Sequence, residues 1–484
     1  MTISPTIEST TLASACQPLT REHPGLSGIV SLREGYDAFA ARVLLAESAE
    51  HTLDVQYYIW HSDLSGTLLL DALRRAADRG VHVRLLLDDN NTSGLDEMLS
   101  ALDAHEKIEI RLFNPFRRRR ARWLDYLADF SRLNRRMHNK SFTADNQVTI
   151  VGGRNVGDEY FGAGHDVMFV DLDVMAIGPV VNDVSVDFDR YWHSESAVPL
   201  NTVLAPASDE CVRSVAEAFE RAVNSPDAES FIEAVAQQPL MRDLVEQRLS
   251  FEWALTRMVS DDPAKGLGRA KVRELLWSRL KSIVGEATSE LYIVSPYLVP
   301  GKPGNRQFRA LAKRGVKVNI LTNSLEATDV AAVHAGYSKY RKPMLRAGVA
   351  LFELKRLSPQ PPGGRRALMG SSGSSRSSLH AKTFAIDRSR VFVGSFNFDP
   401  RSARLNTELG FVIESPAMAG RLAQVFAEGL SERAYSVRLR KLGNLEWTEF
   451  RDGAQIVHER EPGAGPGLRF VVWVFSLLPI EWLL

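Results

Sequence analysis

Apolar residues along this chain recur with the spacing of a strand, then of a helix, then of a strand, and the whole alternation is written twice. Leu53 to Trp60, LDVQYYIW, is apolar and rich in β-prone side chains. An Ala/Leu/Arg pattern of helical spacing follows and ends in AADRG at Gly80. Val81 to Thr92, VHVRLLLDDNNT, reads as a strand running into a turn, and another helical pattern leads to IEIRLFNP, Ile108 to Pro115. The order returns later: ELYIVSPYLVP from Glu290, a helix ending LAKRG at Gly315, VKVNILTNSLEAT from Val316 to Thr328, a longer helix, then VALFELKR from Val349 to Arg356. Such alternation predicts mostly parallel α/β sheets covered by helices. Between the two series, Ala205 to Lys281 reads as predominantly helical. The expected organisation is an extension over 1–35, a first half over 36–203, a helical connecting segment over 204–283, a second half over 284–436 and a C-terminal segment over 437–484.

Each half also holds a long stretch outside the repeat. The first is FRRRRARWLDYLADFSRLNRR, Phe116 to Arg136; the second is SPQPPGGRRALMGSSGSSRSS, Ser358 to Ser378, rich in Gly, Ser and Pro. Loops of this length in a compact domain are usually functional or disordered, and their position suggests lids or substrate guides.

Composition narrows the class. With 484 residues, 44% hydrophobic and 24% charged, the chain is globular and long enough for two or three domains. Lys plus Arg equals Asp plus Glu at 59 each, so there is no overall basic field and no nucleic-acid partner is expected. The two cysteines, Cys16 and Cys211, exclude a disulfide framework and a cysteine-rich metal site. The N-terminal MTISPTIESTTLASAC has neither basic residues nor an apolar run, so it makes a poor signal peptide; LASAC at Leu12 to Cys16 is similar to a lipoprotein cleavage site but lacks the apolar run before it. No stretch approaches the roughly 18 apolar residues of a membrane-spanning helix. FVVWVFSLLPIEWLL, Phe470 to Leu484, is nonetheless apolar, and is either a segment packed on the body or an interfacial foot with Trp473 and Trp482 at headgroup depth.

The chemistry lies in a third repeated element. MHNKSFTADNQVTIVGGRN, from Met137, and LHAKTFAIDRSRVFVGSFN, from Leu379, share one spacing. His138, Lys140, Asp145, Gly152 and Asn155 correspond to His380, Lys382, Asp387, Gly394 and Asn397. Both segments alternate as strands do, so each His and its Lys share one face. Two such half-sites paired about a pseudo-twofold axis would offer two His, two Lys and two Asn. Ammonium and amide groups suit a phosphoryl group. Two histidines on opposite sides suit a nucleophile and a general acid.

The paired elements resemble the HKD motifs of the phospholipase D superfamily. DVQYYIWHSDLSG, LDDNNTSGLD, RLFNPF, HAGYSKYRK and GSFNFDPRSARLNTELGFVIES resemble bacterial cardiolipin synthases, most closely the C-type branch. The resemblance spans nearly the whole chain. It implies two tandem α/β/α sandwich halves related by a pseudo-twofold axis, with one active site shared at their interface. It implies His138 as the nucleophile and His380 as the acid/base, the reverse assignment staying open. Lys140 and Lys382 would hold the phosphate oxygens, with Asn155, Ser395 and Asn397 donating further hydrogen bonds. Asp145 and Asp387 match the motif's aspartate, as catalytic members or as structural supports. Aligning VDLDVMAIGP with TELGFVIESP pairs Asp171 with Glu408, the candidates for orienting the two imidazoles. No cofactor and no metal is expected.

The implied activity is phosphatidyl transfer from phosphatidylglycerol or phosphatidylethanolamine to phosphatidylglycerol through a phosphohistidine, giving cardiolipin. A phospholipase D that mainly hydrolyses, an HKD nuclease and a lipid-binding scaffold are the rival readings. The arginines of FRRRRARW (Arg117, Arg118, Arg119, Arg120 and Arg122) are candidate contacts to anionic lipid, or else structural salt bridges. The expected location is the bacterial inner membrane, peripheral, on the cytoplasmic face.

Overall fold

The computed structural model describes residues 10–163, 170–245, 248–328, 330–356, 379–451, 453–478 and 481. The chain divides into two compact units. The first comprises Met1–Gly164, Leu172–Glu274 and Leu405–Phe411; the second comprises His165–Asp171, Leu275–Arg404 and Val412–Leu484. Each unit thus takes in a short segment from the other half of the sequence. The stretch expected as a separate connector is divided between the units at Glu274.

The first unit is built on strands β1 (Ser27–Leu32), β2 (Thr52–Tyr57), β3 (His82–Asp88), β4 (Ile108–Phe113), β5 (Ser141–Ala144), β6 (Val148–Gly152), β7 (Asp173–Ile177), β8 (Ala197–Pro199) and β9 (Glu252–Ala254). They lie in the order β8-β4-β3-β2-β5-β6-β7-β1-β9. A further strand, β10 (Thr256–Ser260), follows β9, so the stretch read as helical turns to β structure after its helices. Only β2, β3 and β4 run parallel; β5, β6, β7 and β1 are antiparallel to their neighbours. The sheet is therefore mixed, not mostly parallel. The cause is local: β5 and β6 are joined by a turn too short for any parallel crossover.

The second unit repeats this core with β11 (Glu290–Val294), β12 (Lys317–Asn323), β13 (Ala350–Leu354), β14 (Thr383–Ile386) and β15 (Arg390–Gly394); β16 (Leu409–Ile413) begins in the first unit and ends in the second, where β17 (Ala434–Leu439), β18 (Leu445–Arg451) and β19 (Ala454–His458) follow. The order β15-β14-β11-β12-β13 matches β6-β5-β2-β3-β4, with the same parallel and antiparallel neighbours. Strands β17, β18 and β19 extend the sheet beyond β13.

The helix after β2, Leu64–Asp78, starts where the Asp63 carboxylate accepts the Gly66 N–H. The helix before β12 is Gly301–Lys313. Both end just short of a left-handed glycine, Gly80 at φ 98° and Gly315 at φ 90°, where an L side chain would be strained. Leu53, Val55, Leu85 and Phe142 seal the first core, each at most 1% exposed. Burying a side chain of this kind stabilises by about 1.5–3 kcal/mol.

In the second unit the helix Pro466–Leu477 packs on the helix Ala331–Arg346, burying Val472 against Leu325, Ala331 and Ala335. No helix among the described residues is long and apolar enough to cross a membrane. Cys16 sits buried inside the helix Thr11–Glu22, and burial pushes its thiol up to about 11. The Gly/Ser/Pro stretch Ser358–Ser378 lies outside the described residues.

Candidate active site

His138 and Lys140 occupy the extended lead-in to β5, not the strand itself, and His380 and Lys382 stand likewise ahead of β14. What fixes them comes from elsewhere. In the first unit Met137 bridges Thr407, and the His138 N–H donates to the Thr407 carbonyl at 2.9 Å. In the second, Leu379 bridges Val170, and the His380 N–H donates to the Val170 carbonyl at 2.9 Å. These are the two exchanged segments, and each delivers a carboxylate. His138 Nδ1 lies 2.8 Å from Glu408 Oε2. His380 Nδ1 lies 2.5 Å from Asp171 Oδ2. Both carboxylates are enclosed, Glu408 at 0% and Asp171 at 4% exposure. The alignment found the two acids, and the structure shows that they are crossed: each histidine is held by the acid from the other half of the sequence.

A carboxylate on Nδ1 selects the tautomer that places the proton there and leaves Nε2 as the reactive nitrogen. Lys140 Nζ donates to the His138 carbonyl at 2.7 Å and lies 5.3 Å from the centre of the Tyr58 ring. Tyr58 also meets His138 edge-on, with ring centres 4.9 Å apart. Lys382 Nζ donates to the His380 carbonyl at 2.5 Å and lies 3.2 Å from His380 Nδ1. Both ammonium groups are nearly buried, so an approaching phosphate oxygen would meet them little screened by water.

The residue before each histidine is held by the last residue of a parallel strand. Asp88, at the end of β3, accepts the Met137 N–H at 2.7 Å and pairs with Arg136 at 3.3 Å. Burial pushes the Asp88 carboxyl up to about 6. Asn323, at the end of β12, accepts the Leu379 N–H at 3.0 Å and donates to its carbonyl at 3.1 Å. Sequence reasoning passed over Asp88, Asn323 and Tyr58. The signal was present: a polar residue closing each of two matched apolar runs.

Asn155 is anchored rather than free: its Oδ1 accepts the Ile59 N–H at 3.3 Å and its Nδ2 donates to Tyr160 at 3.0 Å. Asn397 is 4% exposed, and its Oδ1 finds no partner among the described residues. Ser395 is fully buried. The motif glycine Gly152 is explained by β7: a Cβ there would come within 2.0 Å of Asp173 Oδ1.

Asp145 and Asp387 bond to backbone N–H groups away from the histidines, which favours the structural of their two readings. Each stands at the far end of its four-residue strand, about 20 Å of extended chain from its His. Each has φ 50° and opens a tight turn, a conformation Asp tolerates. Asp145 accepts the N–H groups of Glu50, His51 and Thr52 at 2.8–2.9 Å. Asp387 does the same for Thr288, Ser289 and Glu290. Each thus ties the hairpin to the start of the unit's first parallel strand. Burial raises the Asp387 pKa, but these N–H groups outweigh it and hold the carboxyl well below its ordinary range. A folded-state pKa below the unfolded one stabilises fully above the unfolded pKa, and the effect is lost as pH falls through the folded one. Asp387→Asn is therefore expected to lower the melting temperature at pH 7 and to cost distinctly less near pH 2, where the wild-type carboxylate begins to lose its advantage. Equal deficits at both pH values in calorimetry would contradict this role.

The arginine cluster is turned partly inward. Arg119 pairs with Asp89 and Asp96, and Arg122 donates to the Asp89 carbonyl at 2.9 Å. For these two the salt-bridge reading is the one the contacts favour. Arg118 pairs with Asp125 at 3.1 Å yet stays half exposed, and Arg117 is exposed. The Arg120 side chain and Trp482 lie outside the described residues. Trp473 is 56% exposed. Among the described residues, His61, Asp63 and Glu159 stand close enough to share a metal ion. Asp63 is already engaged, capping one helix and accepting the Asp158 N–H at 2.7 Å.

Comparison with known proteins bears on the family and the fold. A family profile described as "Cardiolipin synthase, PLD-like domain" matches twice, over residues 44–192 and 280–430. The chain is 51% identical over 477 residues to cardiolipin synthase C of Escherichia coli (strain K12), covering 98% of this chain and 99% of that one. It is 24% identical over 426 residues to a cardiolipin synthase of Staphylococcus aureus (strain Mu50), covering 87% and 70%. Among solved structures, phosphatidylserine synthase of Haemophilus influenzae Rd KW20 shares the fold, with a TM-score of 0.55 at 13% identity over 84% of this chain and 87% of that one.

Proposed function

Because the chain belongs to the phospholipase D-like cardiolipin synthase family, we propose that it joins two phospholipids into cardiolipin through a phosphohistidine on His138, with His380 as acid and base. The enzyme is a phosphatidyltransferase. The observation that supports the mechanism is the matched pair of buried His–carboxylate contacts, 2.8 Å in one unit and 2.5 Å in the other, each with a buried lysine two residues on.

In the first step His138 Nε2 attacks the phosphorus of the donor. The bond from phosphorus to the head-group oxygen breaks as His380 gives that oxygen its proton. In the second step His380 takes the proton of the acceptor's glycerol hydroxyl. That oxygen forms its bond to phosphorus, and the P–N bond to His138 breaks. The acceptor is phosphatidylglycerol and the donor is phosphatidylglycerol or phosphatidylethanolamine. The phosphohistidine preserves the activation of the donor diester, so no nucleotide enters. Water must be excluded for synthesis to beat hydrolysis.

We propose that it works at the bilayer that holds these substrates, peripherally and at the cytoplasmic face of the inner membrane. Supporting this, the helix Pro466–Leu477 leaves Phe470, Trp473 and Leu477 exposed at 62%, 56% and 65%. They fall at i, i+3 and i+7, one apolar stripe suited to the headgroup boundary.

The test is product analysis in vesicles of phosphatidylglycerol and phosphatidylethanolamine, each head group labelled. Cardiolipin is expected, with released glycerol or ethanolamine naming the donor. Phosphatidic acid without cardiolipin would replace the synthase by a hydrolase. Sedimenting the same vesicles with a Phe470/Trp473/Leu477→Ser protein is expected to leave it in the supernatant; undiminished binding would refute the apolar foot.

A further inference from the structure

Glu408 is the acid that orients His138, so whatever fixes Glu408 fixes the imidazole. The sequence SDDPAKG, Ser260 to Gly266, does this. Asp262 accepts the Ala264 N–H at 2.8 Å and starts the turn Pro263–Leu267. That turn brings Lys265 back over Asp261, with Nζ 2.8 Å from Asp261 Oδ2. The same oxygen accepts the Glu408 N–H at 3.0 Å, and the Asp261 N–H donates to the Glu408 carbonyl at 2.9 Å. Both members of the ion pair are enclosed, Asp261 at 0% and Lys265 at 1% exposure. The turn itself is locked from outside. Asn114 donates to the Gly266 carbonyl at 2.9 Å, and Tyr191 donates to the Asp261 carbonyl at 3.0 Å.

We propose that Asp261 and Lys265 are positioning residues for the transfer reaction: Lys265 fixes Asp261, Asp261 fixes the main chain of Glu408, and Glu408 fixes His138. Two facts favour this over a purely structural pair. A buried ion pair is a weak source of stability, since its desolvation cost rivals its attraction. And the pair ends on the backbone of the residue whose carboxylate holds Nδ1 of the reactive ring. The inference rests on the reading of His138 as a reacting group.

The test compares wild type, Lys265→Met, Asp261→Asn and His138→Ala on phosphatidylglycerol vesicles, each checked for folding by circular dichroism. A misplaced imidazole costs turnover and not binding. Lys265→Met is therefore expected to lower kcat by about 10- to 100-fold with KM within about twofold. Asp261→Asn, which keeps the side-chain shape, is expected to show the same split and decides the matter if Lys265→Met does not fold. A folded variant with wild-type kcat, or one in which KM moves as much as kcat, overturns the proposal. An active His138→Ala would instead bring down the reading on which it rests.

Discussion

His138→Ala is expected to lose cardiolipin formation by about 10⁵-fold or more, the order seen when a covalent nucleophile is removed. His380→Ala is expected to lose about 10²–10⁴-fold, the range of general acid–base catalysis. The difference follows from what each ring does. Without His138 there is no atom to accept the phosphatidyl group. Without His380 the attack still occurs, but the head-group oxygen must leave as an alkoxide. A donor with a p-nitrophenyl leaving group needs no proton to depart. It should therefore restore the first step in His380→Ala and leave His138→Ala dead. Burst release of nitrophenol measures this directly. The opposite rescue pattern would exchange the two roles, an outcome the mirrored geometry of the half-sites permits.

The second large effect concerns the carboxylates. Glu408→Gln and Asp171→Asn keep shape but replace an acceptor of the Nδ1 proton by an amide. Losing such an acceptor with geometry intact costs up to about 10⁴-fold in turnover through the wrong tautomer and the unstabilised imidazolium. A fall of about 10²–10⁴-fold in kcat is expected for each. Because the acids are crossed, the fault in Glu408→Gln should appear at His138. It should slow phosphoenzyme formation even from the nitrophenyl donor, whereas Asp171→Asn should be largely relieved by that donor. Equal behaviour of the two variants would mean that the acids do not act on separate histidines.

Much of this was legible in the chain. The parallel strands end within a few residues of the apolar runs that announced them, because most of each run is buried. The two motifs declared themselves by spacing alone. What stayed hidden depends on contacts distant in sequence. The motif left Asp145 open between a catalytic and a structural place, because its partners are the N–H groups of Glu50 to Thr52, almost a hundred residues earlier. Arg119 and Arg122 stayed open between lipid contact and salt bridge because Asp89 and Asp96, which pair with them, belong to an earlier turn and helix. The alignment matched Asp171 to Glu408 as equivalents, yet no pattern in either segment states which histidine each one serves. The antiparallel edges escaped because a parallel core and an antiparallel flank can have equally apolar strands.

The crossing of those two segments has a consequence for how such a chain can change. A repeat that held its own acid could decay alone and leave its twin intact, or be cut loose as a single-domain ancestor. Here a substitution at Thr407 is harmless or harmful according to what it does to His138, a residue 269 positions earlier, and Val170 answers likewise to His380. The two copies are therefore tied in inheritance: neither can drift without the other registering it, and fission between them would part each histidine from the acid that holds it.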